Sequence, residues 1–502
     1  MEQRKNTAAQ TECPDRTQPF EITAELSLPD YHSEITRLLW VRPTLTPPEY
    51  FVSGGKADFC GSCRFALLYV GPDGALYTAE SDASYAFSTP MDLPVGSGEP
   101  LLCAELIPDA VISRVTGPRR LTVRCKMHAK VRAYAALDTA PQYHGVTKEA
   151  ELCRLCDAVR AGRFLGTGRE QCTLTDTFAL QDGERLIGAH GCVFLPEASA
   201  SFDEVCCRGE AQITLLLCRE GDENAMPYTV TRRLPLEQTV PLEGVTPDAH
   251  TNATGTVVEI GSTTADGDLQ LRAHVLLCVN AQGEEDVLIT KDAFLPGSRG
   301  ECRVGEERLW QSNVCANRHF SISGERAAAE LGMDAQSTVI DAVAEADITQ
   351  KVADGTRFSI IGELHCHVLH RTGGEYAVAD IPLPFRVQTE QDCEQMSVEC
   401  SVCSLRTNAT ADTLHLDAEL QLSLRGGTPL HVRLLREAHF TKKECAPTPR
   451  ETELYYPTRG ETLWDVAKHY GVHPDELATH NALTPDSPAD TNSLAGKKFL
   501  LI

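Results

Sequence analysis

The sequence lacks the features of several large protein classes. It contains no apolar run approaching the roughly 20 residues that a membrane helix requires. Its start, MEQRKNTAAQTECPDRTQPFE, has no apolar segment of the kind found in secretory signals. A phosphate-binding loop, a G-x-S-x-G elbow and an H-E-x-x-H motif are all missing. We therefore expect a cytoplasmic protein that has no transmembrane segment and is not an enzyme.

Basic residues are few relative to acidic ones. The 502 residues include 46 Lys and Arg against 71 Asp and Glu, which gives a formal net charge of −25. A surface of this charge repels nucleic-acid phosphates and anionic lipid head groups, so we expect neither nucleic acid nor an anionic membrane as a partner. The length exceeds what one hydrophobic core supports and predicts about three or four domains.

Cysteine is abundant, with 20 residues. In a reducing compartment such thiols pack as small hydrophobic side chains. Three pairs have the CxxC spacing of zinc half-sites: Cys60/Cys63, Cys153/Cys156 and Cys400/Cys403. Gly61 is the only Gly or Pro within these pairs, and the third pair lies in an apparent strand. We therefore predict packed thiols rather than a zinc site.

The segment LHCHVLH contains three histidines, namely His365, His367 and His370. As a strand, this segment would turn Leu364, Cys366 and Val368 toward a core and the first two histidines toward the surface. Surface histidines are the favoured interpretation over a metal site. We accordingly predict no metal ion and no cofactor for the chain.

Two sequence elements recur three times in the same order. The first reads GSCRFALLYVGPDG from Gly61, GEAQITLLLCREGD from Gly209 and GELHCHVLHRTGG from Gly362, with apolar residues at +4, +6 and +7. The second reads LTVRCKMHAKV, LQLRAHVLLCV and LHLDAELQLSL, beginning at Leu121, Leu269 and Leu414. Its alternation is typical of a half-buried strand, and a predicted hairpin precedes each copy. Such repetition indicates three β-rich repeats.

The repeats define the predicted fold class: multidomain and mainly β, with three antiparallel, sandwich-like units followed by a small β-α-α-β module. The predicted divisions are a disordered tail (1–19), repeat one (20–140), a helical linker (141–178), repeat two (179–320), repeat three (321–440), a linker (441–453) and the C-terminal module (454–502). The linker helix is predicted from KEAELCRLCDAVRAG, where apolar residues fall at i, i+3, i+4 and i+7.

The C-terminal module has clear helix signals. Thr462 is placed as an N-cap, and Asp465 three residues later forms an Asp variant of the capping box. An apolar stripe then runs to Gly471, which ends the first helix, and Pro474 suits the first turn of a second helix. We expect Asn481 to cap that second helix, and short strands at 455–458 and 498–502 to complete the module.

This module resembles the LysM domain in the run GETLWDVAKHYGV, in Asn481 and Leu483, and in the closing LAGKKFLLI. Glu461 stands where the usual LysM pattern has Asp. LysM domains bind N-acetylglucosamine-containing glycans, such as peptidoglycan or chitin-like chains, in a groove between the loops flanking the two helices. The resemblance implies a groove formed by Gly460, Glu461, Thr462, Leu463, Asn481, Ala482, Leu483 and Thr484.

Three β-rich repeats followed by such a module resemble the LysM-containing SPOCS-repeat spore coat morphogenetic proteins of endospore-forming bacteria (the SipL type). The resemblance rests on GKADFCGSCRFALLYV, on GTRFSIIGELHCHVL and on the alternating partner strand. It implies a scaffold protein in sporulation, made in the mother-cell cytoplasm and located at the forespore surface or in the spore coat. The implied partners are the morphogenetic ATPase that forms the basement layer of the coat, and other coat proteins.

The sequence thus predicts a non-enzymatic adaptor in spore coat assembly that tethers the coat to the forespore surface through protein–protein contacts. The alternative is a peptidoglycan-binding protein of the cell wall or cortex that acts through its LysM-like module. A structural coat component whose cysteines oxidise late is compatible with either hypothesis. Binding of murein by the module would favour the alternative, whereas the adaptor requires only protein contacts.

Overall fold

Strands dominate the computed structural model of the chain. It describes residues 9–12, 15–93, 98–146, 151–181, 183–219, 226–265, 267–391, 393–442, 454–483, 494 and 498–502, with only the backbone described for Ser312 and Asn313. The predicted mainly β class with antiparallel sheets is confirmed, and α-helices within the described residues occur only in the C-terminal segment. A 3-10 turn at Ala328–Leu331 separates two strands of the third unit.

The first unit is a sandwich of two antiparallel sheets. Its strands are β1 (Ala9–Glu12), β2 (Arg16–Ser27), β3 (Arg37–Leu45), β4 (Glu49–Ser53), β5 (Lys56–Val70), β6 (Leu76–Pro90), β7 (Leu101–Gly117) and β8 (Arg120–Leu137). In one sheet β8 pairs with β1 and β2 on one edge and with β7 on the other. In the other sheet β5 pairs with β3 and β4 on one edge and with β6 on the other.

The second and third units have the same connectivity. After the short strand β9 (Gln142–His144), the second unit contains β10 (Cys153–Ala179), β11 (Glu184–Ser201), β12 (Glu204–Arg219), β13 (Tyr228–Pro241), β14 (His250–Ala265) and β15 (Asp268–Phe294). The third contains β16 (Ser298–Ala327), β17 (Thr338–Asp354), β18 (Arg357–Thr372), β19 (Glu375–Glu390), β20 (Gln395–Ala409) and β21 (Thr413–Lys442). In both, the last strand lies between the first and fifth strands, and the third lies between the second and fourth.

Each sandwich has its own apolar core, built by alternation along the strands. In β8, for example, Leu121, Val123, Cys125 and Met127 are buried while the residues between them are more exposed. The core of the first unit contains buried residues from both of its sheets, and the same is true of the second and third units. Because neighbouring residues of a strand face opposite sides, this pattern leaves a second face of each central strand for other contacts.

The repeated glycine lies in the central strand of each second sheet. A Cβ atom added to Gly61 would lie 2.4 Å from the Tyr85 hydroxyl oxygen. A Cβ atom added to Gly209 would lie 2.0 Å from the Phe194 carbonyl oxygen, and one added to Gly362 would lie 2.3 Å from a carbonyl oxygen in β17. Glycine is therefore required at this position of each repeat because neighbouring backbone or side-chain atoms occupy the space of a side chain.

The apolar residues that follow the glycine pack in two different clusters. The +6 residues pack in the cores of their own sandwiches; they are Leu67, Leu215 and Val368. The +7 residues of all three units meet in one cluster; they are Leu68, Leu216 and Leu369. Equivalent residues of three units can meet in this way when the units surround a common axis. We call the three sandwiches the ring, and this cluster the apolar junction.

A β-bulge in the second strand of each sandwich adds to the apolar junction. The register shifts in β3, β11 and β17 leave one residue unpaired in each strand, namely Leu39, Ile187 and Ile340. All three residues pack in or against the junction. A bulge changes the direction of a side chain relative to regular strand pairing. Because the bulge occurs at the same place in all three units, each unit contributes one such side chain to the centre of the ring.

Neighbouring sandwiches are joined by the same type of hydrogen bond at two of the three interfaces. The Thr78 hydroxyl donates a hydrogen bond to the Ile187 carbonyl oxygen, and the Thr229 hydroxyl donates to the Ile340 carbonyl oxygen over 3.1 Å. At the third interface Val378 occupies the equivalent position, and the Arg37 guanidinium instead donates to the Tyr376 carbonyl oxygen. The ring is thus closed head to tail by contacts that are related but not identical.

A second apolar cluster joins the three sandwiches further along the axis. It contains the equivalent first-strand residues Ala9, Ala161 and Leu309. It also contains last-strand residues from each unit: Leu137, Val287, Ile289, Val432 and Leu434. Strands β3, β11 and β17 extend away from the apolar junction, and the last strands extend into this cluster, so the space between the two clusters is enclosed by all three units.

Several predicted boundaries are wrong. The predicted disordered tail at 1–19 contains, in its described part, β1 and the start of β2, which pair with β8. Repeats two and three begin with β10 and β16 rather than at 179 and 321. The predicted linker at 441–453 begins within β21, and 443–453 lie outside the described residues. The sequence of this segment does not reveal that a strand edge in β8 is available for pairing.

The predicted helical linker at 141–178 is also wrong. Residues 153–179 form strand β10, which pairs with β15 along its whole length. The helical spacing of Leu152, Leu155, Cys156 and Val159 covers only about two turns of a helix. Gly162, a poor helix former, lies three residues further on. A short periodic window of this kind does not outweigh the ladder of backbone hydrogen bonds that a long neighbouring strand offers.

Candidate functional site

The C-terminal module consists of β22 (Leu454–Tyr455), α1 (Leu463–Tyr470), α2 (Pro474–His480) and β23 (Leu500–Leu501). Helix α1 starts at a complete capping box, in which the Asp465 backbone N–H donates to the Thr462 hydroxyl and the Thr462 backbone N–H donates to the Asp465 carboxylate. It ends at Gly471, which has a φ of 67°. Strands β22 and β23 pair antiparallel. Local sequence signals therefore account for both ends of α1.

The polar groups in the loop before α1 bind within the module. The Glu461 carboxylate accepts hydrogen bonds from the Tyr455 hydroxyl over 2.7 Å and from the Thr458 backbone N–H over 2.9 Å. The hydrogen bond between Tyr455 and Glu461 raises the pKa of Tyr455 to about 12 and helps to hold the pKa of Glu461 below its ordinary value. Thr462 is occupied by the capping box, and Gly460 is exposed with a φ of 91°.

The loop after α2 is held in a similar way. The Asn481 amide donates to the Leu477 carbonyl oxygen over 2.8 Å and to the Leu501 carbonyl oxygen over 2.9 Å, and its side-chain oxygen accepts from the Leu501 backbone N–H. Asn481 therefore ties the end of α2 to β23. Ala482 is exposed with a φ of 48°, Leu483 is half-buried, and Thr484 lies outside the described residues.

The two loops of the predicted groove meet at apolar side chains. Leu463 and Leu483 pack against the same cluster, whose buried members include Trp464, Leu477 and Leu500. The polar side chains of Glu461, Thr462 and Asn481, in contrast, all have partners inside the module. A ligand in the groove would therefore contact mainly backbone groups and apolar side chains.

Helix α1 docks the module onto the ring. The Trp464 indole N–H donates to the Asp292 carboxylate over 2.9 Å, and the Lys468 ammonium lies 2.6 Å from the same carboxylate. The Trp464 ring also packs edge-on against Phe294, with ring centroids 4.9 Å apart. Because an apolar contact and two charge-assisted hydrogen bonds converge on the end of β15, the module is held in a defined orientation.

The module also exposes a group of apolar side chains. Leu454, Tyr456, Phe499 and Leu501 are 50%, 66%, 48% and 40% exposed, respectively. The register pairs Leu454 with Leu501, and the rings of Tyr456 and Phe499 lie edge to face with centroids 6.5 Å apart. We call these four side chains the aromatic face. Adjacent exposed apolar residues of this kind are typical of contact sites.

The ring also contains a cavity of about 580 Å³ that is lined by residues of all three sandwiches. Its lining includes residues of β7, β14 and β20 and of β3, β11 and β17. Glu105, Thr254 and Glu399 are equivalent residues of the three units, since each pairs with the tenth residue of the shared last-strand segment. We call this space the central cavity.

Burial sets the electrostatics of the central cavity. It raises the pKa of Glu105 to about 7, and the nearby Glu399 carboxylate adds to this shift while Lys130 and Lys351 oppose it. Burial likewise raises the pKa of Glu399. Close by, the buried Arg425 guanidinium donates to the Cys103 sulfur over 3.0 Å and lies over the Phe164 ring. The cavity therefore contains carboxyl groups whose ionisation is costly.

The CxxC pairs do not come together among the described residues. Each pair lies within a different strand: Cys60/Cys63 in β5, Cys153/Cys156 in β10 and Cys400/Cys403 in β20. The eighteen described cysteines are all free thiols. Burial raises the pKa of Cys63 and Cys403 to about 12 and that of Cys153 to about 11, which keeps these thiols protonated and unreactive.

Two other sequence features can now be located. His365 is exposed and His367 half-buried, in agreement with the predicted alternation, and His370 is only 2% exposed. Leu364, Cys366 and Val368 are buried in the third core, as predicted from alternation. Within the described parts of the chain, the one group of three side chains arranged to hold a metal ion is His144, Glu437 and His439. No described helix is both long and apolar enough to cross a membrane.

Sequence reasoning missed the central cavity, the aromatic face and the His144 cluster. The cavity and the cluster combine residues that are far apart in the chain, so no local spacing reveals them. The aromatic face had a weak signal, because Tyr456 and Phe499 lie within the two predicted strands of the module. Comparisons of the chain with protein-family models, with curated proteins and with solved structures find no match.

Proposed function

We propose that the chain is a non-enzymatic adaptor in endospore coat assembly that tethers the coat to the forespore surface through protein–protein contacts. The proposal joins the sequence resemblance to SPOCS-repeat and LysM proteins with the architecture of a closed ring carrying a docked module. Its place would be the mother-cell cytoplasm at the forespore surface or the coat. Its partners would be the morphogenetic ATPase of the coat basement layer and other coat proteins.

The observation that carries this proposal is the aromatic face of the C-terminal module. Four apolar side chains, including two aromatic rings, are between 40% and 66% exposed on a module whose helix α1 is bound to the ring. Aromatic side chains are enriched in protein–protein interfaces and among the residues that contribute most of the binding energy. The docked module thus supplies a fixed apolar surface to a protein partner.

The hydrogen bonding of the predicted groove supports protein contact over glycan contact. Sugar recognition depends on a few polar groups that converge on the ligand. Here the Glu461, Thr462 and Asn481 side chains are already hydrogen-bonded within the module. Breaking these bonds to bind a glycan would loosen the start of α1 or the link from α2 to β23.

Peptidoglycan binding is the second candidate function, and one observation favours it. The Tyr456 and Phe499 rings are both exposed and lie next to each other. Flat apolar rings of this kind can also stack against a sugar. On this alternative the protein would be a reader of N-acetylglucosamine-containing glycan in the cell wall or cortex.

The experiment that tests the proposal is sedimentation of the full chain with purified peptidoglycan. The adaptor predicts no saturable pelleting, with a known murein-binding protein as the positive control. Saturable pelleting that decreases in a Leu463→Ala variant, but not in a variant carrying Leu288→Ala on the exposed surface of the ring, would contradict the proposal and establish the alternative. Leu463→Ala leaves the Thr462–Asp465 capping box intact, so a loss of binding is not explained by loss of the cap.

A further inference from the structure

Three potential metal ligands meet where the connection between the first two sandwiches touches the third. His144 ends strand β9, which pairs in parallel with Glu437–His439 of β21. The Glu437 Oε1 atom lies 3.2 Å from His144 Nε2 and 2.9 Å from His439 Nε2. The two imidazole rings stack with centroids 4.4 Å apart and an interplanar angle of 12°.

The backbone fixes this arrangement. Glu437 and His439 are two residues apart in a strand, so their side chains point to the same face, and the register places His144 directly beside His439. Gly145 has a φ of 78°, and a Cβ atom there would lie 2.0 Å from the Phe440 carbonyl oxygen. The close turn at Gly145 thus holds β9 against β21.

Packing on the opposite face keeps the histidines outward. Tyr143 packs against the apolar cluster that contains Ala438 and Phe440. The Arg154 guanidinium also lies over the Tyr143 ring, 5.1 Å from its centroid. Because neighbours alternate in a strand, burial of Tyr143 turns His144 to the surface next to Glu437 and His439.

The distances suit one small divalent ion. Ligand atoms on a tetrahedral Zn²⁺ ion, each about 2.0–2.1 Å from the metal, are about 3.3 Å from one another. The two nitrogen–oxygen separations, 2.9 and 3.2 Å, are close to this value, and all three ligand atoms lie within 4.8 Å of one another. Two imidazole nitrogens and one carboxylate are also the ligand type that Zn²⁺ and its neighbours in the first transition series prefer.

We propose that His144, Glu437 and His439 bind a divalent transition-metal ion, most readily Zn²⁺. The ion replaces the hydrogen bonds to Glu437 Oε1, with each imidazole bound through Nε2 and carrying its proton on Nδ1. The fourth position is left for water or for Glu301, which pairs with His439 in the register of β16 and β21. Arg303, which like Glu301 belongs to β16, pairs with Glu437 of β21, and its positive charge weakens the attraction of the site for a cation.

A metal ion at this site would link two parts of the ring that are far apart in the sequence. Because β9 belongs to the connection between the first and second sandwiches and β21 to the third, the ion would cross-link this connection to the last sandwich. A ligand that binds only the folded ring raises its free energy of unfolding by an amount that grows with the logarithm of the ligand concentration divided by Kd. The ring would then be most stable when the metal is present.

The test uses the full chain without a histidine tag, freed of metal by a chelator and then titrated with Co²⁺ and Zn²⁺. The expected result is one ion per chain by elemental analysis and a visible Co²⁺ spectrum of tetrahedral type without sulfur-to-cobalt bands. The absence of those bands distinguishes this site from exposed thiols such as Cys60 and Cys302. Zn²⁺ is also expected to raise the melting temperature of the wild-type chain.

Three variants decide the outcome. Glu437→Gln and His439→Ala are each expected to lose the stoichiometric ion, the Co²⁺ spectrum and the Zn²⁺-dependent rise in melting temperature. The matched control is His367→Ala, which removes a half-buried histidine that hydrogen-bonds Asp380 elsewhere in the third sandwich; it is expected to bind as the wild type does. The proposal is overturned if the wild type binds no ion at one equivalent, or if His439→Ala binds as tightly. Circular dichroism and the metal-free melting temperature show whether each variant is folded.

Discussion

The ring and the C-terminal module use their apolar side chains in opposite ways. In the ring, equivalent leucines from three sandwiches bury one another at the apolar junction, where Leu68, Leu216 and Leu369 are at most 3% exposed. In the module, the four side chains of the aromatic face (Leu454, Tyr456, Phe499 and Leu501) are 40% to 66% exposed. The ring therefore buries its equivalent leucines between its units, whereas the module leaves these four side chains exposed.

The largest expected effect comes from breaking the apolar junction. Leu369→Ala removes buried methyl groups and leaves a cavity, so we expect a loss of about 2–5 kcal/mol in the free energy of unfolding. Leu68→Ala and Leu216→Ala should give similar losses because the residues are equivalent. Urea unfolding followed by circular dichroism measures this, with Leu288→Ala (58% exposed) as the control. Equal midpoints for Leu369→Ala and Leu288→Ala would contradict the account of the junction.

The central cavity predicts a dependence on pH. Because the pKa of Glu105 in the folded chain is raised to about 7, its carboxyl is protonated at pH 5 and must ionise at an energetic cost as the pH rises to 8. Glu105→Gln should match the wild type in stability at pH 5 and exceed it at pH 8 by about 2 kcal/mol. Melting temperatures at the two pH values, with Glu243→Gln on the surface as the control, test this. A difference that shrinks as the pH rises would contradict the sign.

The interfaces within the ring allow a finer comparison. Thr229→Val keeps the shape of the side chain but removes the hydrogen bond to the Ile340 carbonyl oxygen, and Thr78→Val does the same at the preceding interface. Each substitution should cost about 1 kcal/mol in the free energy of unfolding. Thr263→Val at an exposed strand position is the control. If all three variants unfold at the same urea concentration, these hydroxyls do not hold the sandwiches together.

The smallest effect is expected within the module. Thr462→Ala removes the N-cap of α1 and should cost about 1 kcal/mol locally, without changing the stability of the ring. Hydrogen exchange of the backbone amides should accelerate in α1 while those of β12 and β18 stay protected, and Thr462→Ser should restore the wild-type rates. Faster exchange throughout the ring would mean that the module and the ring unfold as one unit.

The sequence predicted some levels of this structure well. Alternation in the segments from Leu121, Leu269 and Leu414 revealed the last strand of each sandwich, and the Thr462–Asp465 spacing revealed the cap of α1. These signals are local, because one strand or one turn contains all the residues involved. The same +6 and +7 residues that indicated a strand could not show that Leu68, Leu216 and Leu369 meet, since that depends on how three units pack.

Errors arose where a local pattern competed with a distant partner. The apolar spacing around Leu155 suggested a helix, but β15 provides a complete ladder for β10. The His144 cluster and the central cavity combine strands from different sandwiches and leave no spacing to detect. The groove residues illustrate a further limit: the sequence shows that Asn481 follows α2, but not that its amide is committed to Leu501.

The most direct test of the adaptor is binding of the full chain to the morphogenetic ATPase of the coat basement layer. The account predicts saturable binding that falls at least tenfold in a Tyr456→Ser, Phe499→Ser double variant. A variant carrying Tyr31→Ser and Phe202→Ser, which removes two exposed aromatic rings from the ring of sandwiches, should bind as the wild type does. No binding by the wild type, or equal binding by the double variant, would contradict the claim that the aromatic face is the docking surface.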